Sequence, residues 1–216
     1  MSSVAIMFSG LPRVRHNAFK FWLDFVYRYN PQIFVHTWDD DLDSIKMILG
    51  NFKPVRLRID KPESFDITPY ESHQRDAINI SNILSMWTSV YRCSDLLDQH
   101  YHDLPKPATI IRARFDMWVP DGFELIPSTS LAIPMEPFKE PGCEHYKEQY
   151  MVSQQEIISY GSYEQMKVYC NCIHHIPAIM NSQENFPFIS EYICAANLMD
   201  HRVGFWNYPL KFELDR

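Results

Sequence analysis

The chain has 216 residues, 46% of them hydrophobic and 14% aromatic, which supplies a packed core and argues against a disordered chain. A formal net charge of −7 gives no reason to expect a nucleic-acid partner, whose backbone needs a basic face, so an anionic ligand is expected to be held by a few local arginines and by backbone donors. The 5 cysteines, at positions 93, 143, 170, 172 and 194, are an odd number, favouring reduced thiols in a cytosol-like compartment over a disulfide framework.

In chain order, VAIMFSG (4–10) reads as a buried strand closed by a Ser-Gly turn. Its apolar part is too short for a signal peptide or a membrane anchor, and no later run has the length of a membrane span, so a soluble cytoplasmic domain is expected. Phe19, Trp22, Leu23, Val26 and Tyr27 follow at three-and-four spacing and predict one buried helix face. PQIFVHTW is a second strand, closed by Asp39-Asp40-Asp41. A short helix is expected to carry Ile45, Ile48 and Leu49, and PVRLRI alternates as a third strand. Residues 61–73 read as loop. From Ala77 to about Tyr101 the apolar positions 80, 83, 84, 87, 90, 91 and 97 predict a long helix with one buried stripe. Pro105 and Pro107 end it before the strand TIIRA.

The order β-α-β-α-β-α-β predicts an α/β domain with a central, mostly parallel sheet covered by helices on both faces. Beyond Pro120 the prolines at 127, 134, 137 and 141 divide the chain into short extended pieces. YMVSQQEIISYG reads as one or two strands and SYEQMKVYCNCIHHI as one helix. SEYICAANLMDH reads as another, with Ser190 as its N-cap, and VGFWNYPLKF as a closing strand. Nothing divides the 216 residues into two units, so one Rossmann-like domain is expected, whether it stands alone or within a longer protein.

Ligands of open α/β sheets bind beyond the carboxyl ends of the strands. Three polar clusters fall at such ends: SGLPR (9–13), HTWDDD (36–41) and RARFD (112–116). Each alone is readily explained as a turn, a solvated loop or a strand-end ion pair; together they point to a site. A nucleotide diphosphate would use Ser9, Gly10 and Arg13 at the first turn, either through the guanidinium or through backbone N–H groups. Asp116 is the candidate ligand for Mn²⁺ or Mg²⁺, ions that take carboxylate oxygen and often only one or two protein ligands. Trp38 would lie beside a base or ribose, and one of Asp39, Asp40 and Asp41 would accept the base's ring N–H. Arg112 or Arg114 has a second reading, as the partner of an acid in the 39–43 run.

FSGxxR, FVHTW, SMW on the long helix and IRARFD, in that order over about the first 120 residues, resemble glycosyltransferases of the GT-A fold found in large DNA viruses and bacteria. The likeness extends to chlorella-virus domains that help build capsid glycans. The resemblance implies a UDP-sugar donor, with glucose or a deoxyhexose such as rhamnose as the sugar, and a glycan or glycoprotein acceptor. It also implies a metal held by an Asp-x-Asp motif after a central strand. Here that stretch is Arg114-Phe115-Asp116, which keeps only the last acid and leaves Arg114 beside the nucleotide. RDAINISNI (75–83) resembles the helix preceding the metal motif, with Arg75 and Asn79 facing the nucleotide. On this reading Arg13 and the metal offset charge growing on the departing UDP.

An inverting enzyme needs a carboxylate base near the acceptor hydroxyl. Glu191 is the first candidate and Glu156 the second, against the plainer reading of Glu191 as an acid in a first helical turn. CNCIHH (170–175) lacks zinc-site spacing and reads as helix packing, and His201 as a helix-end histidine. The rival reading is a non-catalytic nucleotide-sugar or carbohydrate-binding module of the same fold. A nucleotidyltransferase would require a glycine-rich basic loop that the sequence does not contain.

Overall fold

The computed structural model of the chain describes residues 3–74, 78–120, 123–125, 130–134, 157–182, 186–208 and 213–214. Strands β1 (Val4–Gly10), β2 (Gln32–Trp38), β3 (Arg56–Asp60) and β4 (Thr109–Ala113) alternate with helices α1 (His16–Tyr29), α2 (Leu42–Phe52) and α3 (Ile80–His100). Next come β5 (Met117–Trp118), β6 (Leu131–Pro134), β7 (Ile158–Gly161), α4 (Tyr163–Cys170), α5 (Cys172–Ser182), α6 (Ser190–Asp200), β8 (Phe205–Tyr208) and β9 (Glu213–Leu214). The main sheet has the order β3-β2-β1-β4-β7-β6-β8, and β5 and β9 form a small antiparallel pair.

Strands β1 to β4 pair in parallel, as the alternating order predicts, because each returns through a helix. The sheet is mixed beyond them: β7 runs antiparallel to both β4 and β6. Strand β1 starts and stops where its apolar run does, at Gly10, whose φ of +112° would strain any side chain. Helix α1 ends on Asn30 in the left-handed region, with the Asn30 N–H donating to the Val26 carbonyl at 2.9 Å. Helix α2 starts on Asp41, whose carboxylate accepts from the N–H groups of Asp43 and Ser44.

Four sequence expectations change. Residues 68–73, read as loop, form a short 3-10 helix (Thr68–His73). Tyr27 is 93% exposed, because the buried line of α1 runs through Ala18, Trp22 and Phe25, and residue 27 lies about 200° around the helix from Phe25. The single helix expected over 162–176 is two, α4 and α5, broken at Asn171. Ser190 is the first helical residue of α6 rather than its cap; Ile189 holds the cap position and its side chain supplies no hydrogen bond.

Helices cover both faces. Alternate residues of a strand point to opposite sides, so Ile6 and Phe8 of β1, Ile33 and Val35 of β2, and Ile111 and Ala113 of β4 pack with Trp22 and Phe25 of α1 and Ile48 and Phe52 of α2. Ala5, Met7, Phe34 and Ile110 pack on the other side with α3 and with α4 to α6. Cys93, Cys170, Cys172 and Cys194 are buried free thiols; Cys143 lies outside the described residues. Burial lifts the Cys170 thiol to about 12. Among the described residues no helix is long and apolar enough to cross a membrane.

Candidate functional site

The α3 face of the sheet changes character along its strands. Met7 is followed two residues on by Ser9, Phe34 by His36 and Trp38, and Ile110 by Arg112, all buried. These positions fall at the carboxyl ends of three adjacent strands, and Ser9, Trp38 and Arg112 line a cleft of about 740 Å³. Ser9, Gly10, Arg13, Trp38, Asn79, Arg114, Asp116 and Glu191, expected at the site, all line it. So do Asp40, Arg112, Ser81, Asn82, Ser85, Met86 and Ser190.

Of the three aspartates one of which is expected to meet the base, Asp40 lines the cleft, and Asp39, exposed, does not. Asp41 is committed to capping α2, its carboxylate held low chiefly by hydrogen bonds from the Ser44 backbone and side chain. Arg75 and Glu156 lie outside the described residues. His201 sits at the far end of α6, with Nδ1 2.9 Å from the Asn197 carbonyl and its ring 4.4 Å from that of His175. The CNCIHH thiols Cys170 and Cys172 are packed in the core.

A hydrogen-bonded chain behind the cleft holds the first turn. The Gly10 N–H donates to Ser89 Oγ at 2.8 Å, Ser89 Oγ lies 2.7 Å from His36 Nδ1, and His36 Nε2 lies 3.1 Å from Asp60 Oδ2. Burial drives the His36 pKa down to about 4, more than the Asp60 carboxylate can offset. The ring is therefore neutral at pH 7, and one pattern satisfies every group: Nε2–H donates to Asp60, Nδ1 accepts the Ser89 hydroxyl, and Ser89 accepts the Gly10 N–H. Burial pushes the Asp60 carboxyl up, but the His36 hydrogen bond and the Arg58 and Arg92 charges outweigh it and leave it lowered. Arg58 Nε and Arg92 NH1 each donate to Oδ2 at 2.8 Å. Arg92 also lies over the Trp38 ring at 5.5 Å and pairs with Glu63.

The first turn is expected to offer a ligand either the Arg13 guanidinium or backbone N–H groups; of the latter, the Gly10 N–H is spent on Ser89, and those of Arg13 and Val14 on the carbonyls of Leu11 and Pro12.

The two arginines of RARFD separate. Neither pairs with the 39–43 run. Arg114 closes on Asp116, Nε to Oδ1 at 2.8 Å and a terminal nitrogen to Oδ2 at 2.6 Å, a two-point ion pair between side chains two residues apart. Arg112 is fully buried; its Nε donates to Ser9 Oγ at 3.0 Å, and both terminal nitrogens lack a hydrogen-bond partner.

Asp116 lines the cleft wall, and a divalent ion can use a single protein carboxylate when phosphate and water fill its other positions. A cation must share that carboxylate with Arg114 or displace it. No group of three or more His, Cys, Asp or Glu side chains that could hold a metal ion is assembled among the described residues, at the cleft or elsewhere.

Sequence reasoning missed Ser89 and, beyond Asn79, the α3 lining, and read Ser190 only as a cap. A signal was present: Ser81, Ser85 and Ser89 recur every four residues, a polar line along the helix beside its apolar stripe. Comparison of the sequence with protein-family models and with curated proteins finds no match.

Proposed function

We infer that the chain is a glycosyltransferase that moves a sugar from a UDP-sugar to a glycan or glycoprotein acceptor. The donor class and the link to viral capsid glycans come from the sequence resemblance; glucose or a deoxyhexose such as rhamnose suits it. One observation carries the reading: three parallel strand ends and the first turns of two helices converge on one cleft that holds Ser9, Gly10, Arg13, Trp38, Asn79, Arg114, Asp116 and Glu191 together. A cleft of about 740 Å³ also has the size of a small-molecule site.

In this reading Arg13 lies at the exposed rim and Arg112 in the buried wall, where their charges offset the charge that develops on UDP as the glycosidic bond breaks. Trp38 and Asp40 border the nucleoside, and Asn79 both caps α3 and meets the nucleotide. Glu191, buried in the first turn of α6, is the carboxylate in position to take the acceptor hydroxyl's proton. Mn²⁺ or Mg²⁺ belongs to the same proposal, with Asp116 as its protein ligand once Arg114 yields; such an ion neutralises phosphate oxygens and so stabilises the leaving group. The setting proposed is the cytoplasm, the host's if the chain is viral.

A specific observation favours the rival, a binding module without turnover: the sole acid of the 114–116 stretch is already neutralised by Arg114. Release of UDP from a panel of UDP-sugars, with and without Mn²⁺, separates the two. Metal-stimulated release, accelerated by a carbohydrate acceptor and lost in Asp116→Asn, supports the enzyme. Binding of UDP-sugars with no release supports the module.

A further inference from the structure

We propose that the inner end of the cleft is a phosphate-binding site built from Arg112, Ser190 and the N-termini of α3 and α6, and that it holds a diphosphate without a divalent cation. The proposal deepens the donor reading of the same cleft, but needs only that the ligand carries phosphate.

The argument starts from an imbalance. Arg112 is 0% exposed, yet only its Nε is hydrogen-bonded, to Ser9 Oγ. A buried guanidinium with two idle nitrogens is costly to maintain, and arginine keeps its proton, so it cannot escape by neutralising. The other cleft arginine near it on the chain, Arg114, has its charge met by Asp116; Arg112 has no such partner. A second idle group shares the wall. Ser190 Oγ is buried and also lacks a hydrogen-bond partner.

Two helix ends add to this. Helix α3, 21 residues long, starts at the cleft with Ile78, Asn79, Ser81 and Asn82 in its wall, and α6, 11 residues long, starts there with Ile189 and Ser190. A helix N-terminus carries partial positive charge. At α3 the Asn79 side chain takes the Asn82 N–H, and both helix ends turn that partial charge toward the cleft. An unpaired guanidinium fork, an idle hydroxyl and two positive helix ends suit a tetrahedral oxyanion with several acceptor oxygens. Of the acids in the described wall, Asp116 is met by Arg114 and Glu63 by Arg92, and Asp40 lies exposed at the rim. A diphosphate can place one group at Arg112 and extend the other toward Arg13 at the rim.

The test uses inorganic pyrophosphate as the probe, in EDTA, read as thermal stabilisation and by calorimetric titration, since a ligand of the folded state raises its stability. Wild-type protein is expected to be stabilised with EDTA present. Arg112→Met, close in size and uncharged, is expected to melt at or above the wild-type temperature, because it removes a buried charge, and to bind pyrophosphate about 10- to 100-fold more weakly. Ser190→Ala is expected to melt like wild type and to weaken pyrophosphate by a smaller factor. No stabilisation of wild type in EDTA overturns the proposal, as does stabilisation that appears only with Mn²⁺. Unchanged pyrophosphate affinity in Arg112→Met does so as well. A large loss of stability in Arg112→Met makes Arg112 a structural residue and also overturns it, and Ser190→Ala then still reports on the anion. Arg112-dependent pyrophosphate binding without sugar transfer would leave this site standing and remove the enzyme reading; transfer without such binding would do the reverse.

Discussion

The two faces of the sheet are made from alternate residues of the same strands, and they end differently. Toward α1 and α2, β1, β2 and β4 present Ile6 and Phe8, Ile33 and Val35, and Ile111 and Ala113, and Phe8 meets Trp22 at 4.9 Å and Phe115 at 5.0 Å. Toward α3, the same strands pass from Met7 to Ser9, from Phe34 to His36, and from Ile110 to Arg112. The first face spends its burial on cohesion. The second gives up cohesion at one end, keeping a neutral histidine in a hydrogen-bonded chain and an arginine with two idle nitrogens. On the proposed reading a ligand supplies the missing partner at that end, and the difference then separates stability from recognition within a layer one strand thick.

Breaking the cohesive face should have the largest effect. Phe8→Ala removes a ring packed on Trp22, Phe52 and Phe115 and is expected to cost about 3–5 kcal/mol in urea unfolding. A loss below about 1 kcal/mol would mean this cluster is not the main support.

The next effect sharpens the polar face. His36 titrates near 4 when folded and 6.5 when unfolded, so between these values the unfolded state holds more protons. Stability from this group is therefore full above pH 6.5 and is lost as pH falls toward 4, by about 3 kcal/mol in all. The groups facing the ring are Asp60, Arg58 and Arg92, and Asp60 keeps a lowered pKa across that window. His36→Gln should show a shallower loss between pH 7 and 4.5 than wild type. Parallel curves would place the pH response elsewhere.

Ser89→Ala is a smaller break of the same chain. It leaves the Gly10 N–H and His36 Nδ1 without their partner and should cost about 1–3 kcal/mol. It should also loosen the first turn, seen as faster amide exchange at Gly10. Smallest of all, Tyr27→Ser lies on neither face and should change stability by no more than about 0.5 kcal/mol.

These contrasts also explain how much was legible in the sequence. The first four strands and the first three helices could be read because apolar runs and three-and-four spacing report burial directly, and the strand-end clusters fell together because parallel strands end on one edge. The reversed direction of β7 was not legible, since the residues between β6 and β7 carry no periodic signal that fixes a return path. The break at Asn171 was hidden because both halves keep helical periodicity across it. Ser190 looked like a cap because serine usually is one; here tertiary packing starts α6 one residue earlier and leaves its hydroxyl in the cleft wall. The pairing of Arg114 with Asp116 was available in principle, as residues two apart in extended chain point the same way. The partners of Gly10 and His36 were not, because they join residues 53 and 79 positions apart.

The most direct measurement of the central claim is amide hydrogen exchange with and without UDP, in EDTA and again with Mn²⁺. The account predicts slower exchange at residues 9–13, in the first turns of α3 and α6 and at 112–116, with α1 and α2 unchanged. Unaltered exchange at those four places under saturating UDP, or protection confined to the α1 and α2 face, would contradict it.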